Sequence, residues 1–273
     1  MTLPEPPLWC RISFAPQIWR IQKRQSIEGI SLSYVLWNLI SSTENVTIYI
    51  FTLVNQYDPS DKTIFLHFPY SAGDWFSLAH CAVVTLLFLA LFVQVLRYSD
   101  RRTSLCIQYT AFLLISLIPL LIDGIVPMRP WSRRFWLVGY WALHSFFIWP
   151  IITFLGFFSI YRQAQTIRAV PFPNSLSLHG LAVQAFVFML LSVTWIFALP
   201  FPYEKLEGQV NMNVLIIWYA SIGWVIVDSF VFAIGQTILL ALALRRRSSD
   251  DIPREGETEP LLGDASSRDY SGG

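Results

Sequence analysis

Long apolar stretches alternate with short polar breaks along this chain. Runs dominated by Leu, Ile, Val, Phe and Trp cover about 30–54, 75–97, 104–126, 135–161, 179–200 and 213–240. Each is near or above the roughly 20 residues an α-helix needs to cross hydrocarbon, so the pattern predicts six membrane spans. A shorter stretch over 8–22, which contains Arg11 and Pro16, is read as a seventh. Inside the second run the pattern changes: Tyr34, Asn38, Ser41, Ser42 and Asn45 recur at three- and four-residue steps. On a helix that spacing draws a polar stripe down one face. Hydrocarbon does not solvate such a face, so it must look into the bundle or a watery cavity.

Composition supports this reading. The chain of 273 residues is 54% hydrophobic and 16% aromatic, with only 14% charged residues, a balance outside that of soluble domains. A net charge of +1 gives no basic patch for nucleic acid. Cys10, Cys81 and Cys106 stand at no metal-ligand spacing and imply no disulfide framework, so no metal or cofactor is expected. The start, "MTLPEPPLWCR", has three prolines and no apolar core before a cleavage site, unlike a signal peptide. With no nucleophile beside a base, no phosphate-cradling glycine loop and no paired carboxylates, the chain does not read as an enzyme.

Orientation follows from Lys and Arg, which are in excess in cytoplasmic loops. With seven spans and a lumenal N-terminus, the cytosolic segments hold Arg20, Lys23 and Arg24, then Arg97, Arg101 and Arg102, then Arg162 and Arg168, and finally Arg245, Arg246 and Arg247. The opposite segments hold Arg11, Lys62, Arg129, Arg133, Arg134 and Lys205, and "VPMRPWSRR" departs from the rule. The long connection over 55–74 is expected to cap the outer mouth. After Leu244 the composition turns polar and Gly/Ser-rich, with too little apolar surface to fold, so 245–273 is read as a disordered cytosolic tail. There Glu257, four residues ahead of Leu261 and Leu262, fits an acidic dileucine sorting signal for clathrin adaptors as well as it fits an inert tail.

Sliding the chain by 146 positions superposes an internal repeat. Gln17 falls on Gln163, Ser31 and Leu32 on Ser177 and Leu178, and Asn38 on Gln184; Pro16 falls on Arg162. Both copies leave one span, cross a short basic loop and enter the next. Pro16 and Gln17, followed by Lys23, Ser26, Gly29, Ser31 and Asn38, resemble the motif of the PQ-loop repeat transporters, the family of cystinosin-like carriers related to the SWEET sugar carriers. The resemblance implies an all-α membrane protein of seven transmembrane helices, built as two parallel three-helix repeats joined by a linker helix. On this chain the first repeat is 1–103, the linker helix 104–127, the second, degenerate repeat 128–244 and the tail 245–273. It also implies a transporter that exports a small polar solute, an amino acid or derivative, from an acidic lumen to cytosol by alternating access. The resemblance further implies a vacuolar or lysosome-like membrane and protons as the coupling ion. The alternative is a non-transporting receptor or trafficking factor on the same scaffold.

Residue by residue, Pro16 and Pro150 each remove a backbone donor, a break tolerated in a membrane only where protein or water satisfies the freed groups. With Gln17 next to Pro16, and Gln163 at the end of the span that Pro150 breaks, they are candidate hinges; the alternative is a static kink. Asn38, Ser42, Asn45, Gln184 and Trp224 are candidate substrate contacts, the alternative for the amides being hydrogen bonds between helices. "ASIGWVIVDSFVFAIGQ" resembles the last helix of cystinosin-like carriers, which places Asp228 in a proton-coupling role. Ser221, Trp224, Asp228 and Gly235 share a face by spacing. An acid in mid-membrane is a functional hypothesis by default; the alternative is a protonated aspartate bonded to a neighbouring helix. Glu44 is a second candidate for proton coupling, with a lumen-facing, snorkelled carboxylate as the alternative. Asp123 is expected to face the lumen. His80 and His144 read as lone packing histidines.

Overall fold

The computed structural model describes residues 8–55, 69–125, 130–198, 212–219 and 223–250. Among these residues all regular structure is helical, in the order α1 (Leu8–Arg24), α2 (Leu32–Asn55), α3 (Ala72–Tyr98), α4 (Arg102–Ile125), α5 (Pro130–Leu143), a π-turn (His144–Ile148), α6 (Trp149–Ala169), α7 (Leu178–Ala198), α8 (Met212–Trp218) and α9 (Trp224–Asp250). Among the described residues five helical stretches are long and apolar enough to cross a membrane: Ala72–Tyr98, Arg102–Ile122, Phe135–Ala169, Leu178–Ile196 and Trp224–Ser249. The first two helices fall outside that set for separate reasons. α1 has 17 residues, with Pro16 inside it; α2 has 24, but the run from Asn38 to Thr47 dilutes its apolar character.

The span over 213–240 is described in two pieces, α8 and α9, with residues 220–222 between them outside the described residues. One boundary differs from the sequence expectations. The tail does not begin at 245, because α9 continues to Asp250. Arg245 to Arg247 have long unbranched side chains that favour helix, and cations near a helix C-terminus meet its negative end. The break at Pro150 is not a gap between helices: Pro150 stands in the first turn of α6, directly after the π-turn. A wide turn there absorbs the missing donor without opening the helix. Pro16 likewise lies within an unbroken α1. Of the connection over 55–74, only its last residues are described. Ser71 and Asp74 form a capping box that starts α3, Ser71 Oγ taking the Asp74 amide at 3.2 Å and Asp74 Oδ2 taking the Ser71 amide at 2.8 Å. Glu257, Leu261, Leu262 and Ser221, like the Asp123 side chain, lie outside the described residues.

The helices interleave. α1 packs on α3 and α7, α2 on α3 and α6, and α9 on α6 and α7. Between helices in lipid there is no hydrophobic drive, so close packing and interhelical hydrogen bonds must hold them together. One face of α9 meets one face of α6. Trp224 stacks on Trp149 with centroids 4.8 Å apart, Asp228 meets Thr153, and Gly235 lies against Ile160, which would collide with any Cβ there. Outward, Phe154, Phe157 and Phe186 are exposed on the faces lipid would cover. Two apolar cores fill the interior. One runs from Phe14 and Ile21 through Leu36, Leu39, Phe88 and Leu91 to Leu239; the other is aromatic, built on Tyr49, Phe51, Tyr140, Trp149, Trp195 and Trp224.

Candidate functional site

At one end of the bundle, the loop over 25–31 that joins α1 to α2 meets the loop over 170–177 that joins α6 to α7. The Ser175 amide donates to Glu28 O at 2.9 Å. Around that contact two glutamines make the same pair of bonds. Gln17 Nε2 donates to Ser175 O at 2.9 Å, while its Oε1 takes the Ser177 amide at 2.7 Å. Gln163 Nε2 donates to Gly29 O at 2.7 Å, and its Oε1 takes the Ser31 amide at 2.7 Å. Each residue in one set lies 146 positions from its counterpart in the other: 163 − 17, 175 − 29 and 177 − 31. Both glutamines are buried, and each satisfies a donor and an acceptor just before the helix in the other half of the chain.

Local sequence explains why the loops can come so close. Gly29 adopts φ +85°, where glycine has no steric penalty, and a Cβ there would stand 2.7 Å from Asn174 Cγ. Asn174 Oδ1 accepts the Leu176 amide at 3.1 Å, which folds the second loop back on itself. Basic residues of α1 add to the contact: Arg20 Nε donates to Asn174 O at 3.1 Å and Arg24 Nη1 to Pro173 O at 2.8 Å. Their charge was informative in the sequence, but nothing there announced that they reach carbonyls about 150 residues away.

Further along α2, Asn38 turns toward α6. Its Nδ2 donates to Tyr34 O at 2.7 Å and lies 3.4 Å from Ser159 Oγ. Asn38, Ser41, Thr153, Gly156 and Asp228 line a cavity of about 40 Å³ between α2, α6 and α9. Thr153 Oγ1 donates to Asp228 Oδ1 at 2.7 Å and meets Tyr219 Oη at 2.8 Å. Among the described residues, Asp228 Oδ2 and Asn38 Oδ1 have no hydrogen-bond partner. A second, smaller cavity of about 20 Å³ is lined by Gln17, Tyr34, Gln163 and Gln184. It is bounded by a bond the sequence did not suggest, from Gln236 Nε2 to Tyr34 Oη at 2.6 Å. These volumes suit a few water molecules, not a solute of amino-acid size. Neither of these two cavities holds such a solute in this conformation.

The remaining predicted residues fall in several places. Ser42 is buried and spends its hydroxyl on Leu39 O of its own helix at 3.0 Å, with Thr85 Oγ1 on its carbonyl at 2.8 Å. Asn45 is half-buried and lines neither cavity. Trp224 is buried in the aromatic core, one turn from Asp228. The polar stripe of α2 thus divides: Tyr34 reaches α9, Asn38 faces α6, and Ser42 turns its hydroxyl onto its own helix while Thr85 of α3 meets its carbonyl.

Glu44 does not snorkel. It is fully buried, accepting Ser116 Oγ of α4 at 2.7 Å on Oε2 and pairing through Oε1 with His144 Nδ1 at the start of the π-turn. His144 is therefore no lone packing residue; the two are 100 positions apart, and no spacing rule joins residues on separate helices. His80 is buried in α3. No group of three or more metal-binding side chains gathers among the described residues.

Neither comparison with curated proteins nor comparison with solved structures gives a match. The family model described as the PQ loop repeat matches residues 8–61, which span α1, the loop carrying Gly29 and Ser31, and all of α2. The chain is thus a multi-pass membrane protein that carries a PQ loop repeat over residues 8–61.

Proposed function

We propose that this protein is a PQ-loop-type transporter, exporting a small polar solute from an acidic lumen to cytosol by alternating access coupled to protons. The observation that carries the reading is the cavity shared by Asn38, Ser41, Thr153 and Asp228, which joins the amide of α2 to the acid of α9 across α6. The acceptors left over there, Asn38 Oδ1 and Asp228 Oδ2, match a solute bearing donors, such as the ammonium of an amino acid or derivative. A carboxylate at such a site exchanges a proton for a cationic group without leaving a buried charge unpaired.

In this reading α1 to α3 form the first repeat, α4 is the linker, and α5 to α9 supply the second repeat, whose three spans are α5–α6, α7 and α8–α9. The bonds repeated at the 146-residue offset support such a pairing of halves. They also give Gln17 and Gln163 a role: they close the loop end, and releasing them, with Pro16 and the π-turn before Pro150 as the yielding points, lets one half rock on the other. The loop end is cytosolic by its arginines, the membrane is vacuolar or lysosome-like, and Glu257, Leu261 and Leu262 bring the protein there through clathrin adaptors.

The test is flux into liposomes containing the purified full chain, with a pH gradient of either sign and a panel of labelled amino acids, derivatives and sugars. The expected result is gradient-driven accumulation of one class. Asp228→Asn should abolish the dependence on the gradient, by tenfold or more, while leaving solute exchange measurable. Wild-type liposomes that move none of the panel under either gradient would count against transport, and unchanged proton dependence in Asp228→Asn would remove that residue from the mechanism.

A further inference from the structure

We propose that Glu44 and His144 form a second proton-binding site, separate from Asp228, in which the imidazole relays the proton to the carboxylate. Three observations carry it. Both side chains are fully buried, and Glu44 is paired with His144 Nδ1 on one oxygen and Ser116 on the other. The second ring nitrogen, His144 Nε2, is buried with no hydrogen-bond partner among the described residues. His144 also begins the π-turn that interrupts the helix from Pro130 to Ala169, a feature concentrated at functional sites.

The charge balance explains what a proton does there. With Nδ1–H directed at an ionised Glu44 and a neutral ring, the pair carries one net negative charge. Among the described residues no Lys or Arg bridges to it. A lone negative charge in hydrocarbon is unfavourable. A proton arriving at Nε2 makes the ring an imidazolium; the Nδ1 proton then passes to Glu44 Oε1. The result is a neutral acid and a neutral ring protonated on Nε2, with one proton gained and no other bond changed.

The other titratable groups nearby are accounted for by element. On the same helix as His144, Tyr140 lies with its ring 4.0 Å from the imidazole. On α4, Tyr109 Oη is bound to Thr43 at 3.0 Å. α3 carries Asp74, held in its capping box, with His80 and Cys81. On α9, Asp228 is engaged by Thr153. The site lies six residues along α2 from Asn38, about 9 Å at the helical rise. Loading it would change the tie between α2 and the π-turn next to the cavity. Only that last consequence rests on the transport reading; proton binding does not.

Infrared difference spectroscopy of the full chain in liposomes, without any solute, tests this when the buffer is stepped from neutral to acid. The expected signal is the narrow carbonyl stretch of a protonated carboxyl out of water, distinct from the broad bands of hydrated surface carboxyls. It should move when glutamate alone is labelled with carbon-13, be lost in Glu44→Gln, change frequency in His144→Gln and persist in Asp228→Asn. A buried-carboxyl signal that ignores glutamate labelling, or its absence throughout the pH range of the folded protein, overturns the proposal. The labelling arm uses the wild-type chain, so it decides the question even if Glu44→Gln fails to fold. Because no flux is measured, a protein that binds this proton yet moves no solute would sink the transport reading and leave this one standing.

Discussion

Glu44 and Asp228 are both acids inside a helical membrane bundle, and their surroundings differ. Glu44 is closed in: each oxygen has a protein partner, from α4 on one side and from the π-turn on the other. Asp228 is tied on one side only, by Thr153, and faces a cavity it shares with Asn38. The enclosed acid ties three segments together and can be reached only through His144, whose Nε2 has no hydrogen-bond partner among the described residues; the half-tied acid faces the cavity itself and is positioned to exchange partners. A carboxylate in the sequence thus announces that something must satisfy it, while its neighbours decide whether its partners are fixed or exchangeable.

That contrast breaks most easily at Glu44. Glu44→Ala strands His144 and Ser116 in the interior, and loss of one member of a buried pair is expected to cost about 3–5 kcal/mol. Thermal unfolding in detergent should show a large drop or failure to accumulate folded protein. Asp228→Ala leaves Thr153 its bond to Tyr219, so a cost of about 1–2 kcal/mol is expected, with transport lost instead. Equal destabilisation by the two would erase the distinction.

The glutamines test the loop end. Gln17→Ala and Gln163→Ala each leave a buried carbonyl and a buried amide without a partner, about 1–3 kcal/mol for each group. Because the two make the same bonds, their losses should agree within about 1 kcal/mol; a one-sided effect would show that the halves are not held alike. Gly29→Ala, which must take φ +85° against Asn174, should cost about 1–3 kcal/mol. The smallest effect belongs to Arg24→Ala, whose exposed bond to Pro173 O is worth about 0.5 kcal/mol or less.

The sequence made some of this legible and hid the rest for a physical reason. Apolar runs placed α3, α4, α7 and the helix ending at Ala169 well, since hydrocarbon thickness fixes the length of what spans it. The 146-residue offset brought out Gln17 and Gln163, which make the same pair of bonds across it. A stripe computed from helical spacing put Tyr34, Asn38 and Ser42 on one face, yet a helix surrounded by neighbours has no single inside, and the three found different partners. The links from Glu44 to His144, from Tyr34 to Gln236 and from Asp228 to Thr153 join helices far apart in sequence; only the packing of α2, α6 and α9 creates them. The extension of α9 to Asp250 is a boundary effect, set by arginines that favour helix as readily as solvent.

The claim that matters most is that the cavity beside Asp228 opens to each side of the membrane in turn, as a carrier requires and a receptor does not. Its most direct test places one thiol at Ser41 in the full chain lacking Cys10, Cys81 and Cys106, and reacts it with a membrane-impermeant reagent from either face of sealed vesicles. Labelling from both faces, slowed from each by the transported solute, is the predicted result. Labelling from one face alone, under every pH gradient and solute tried, would contradict it.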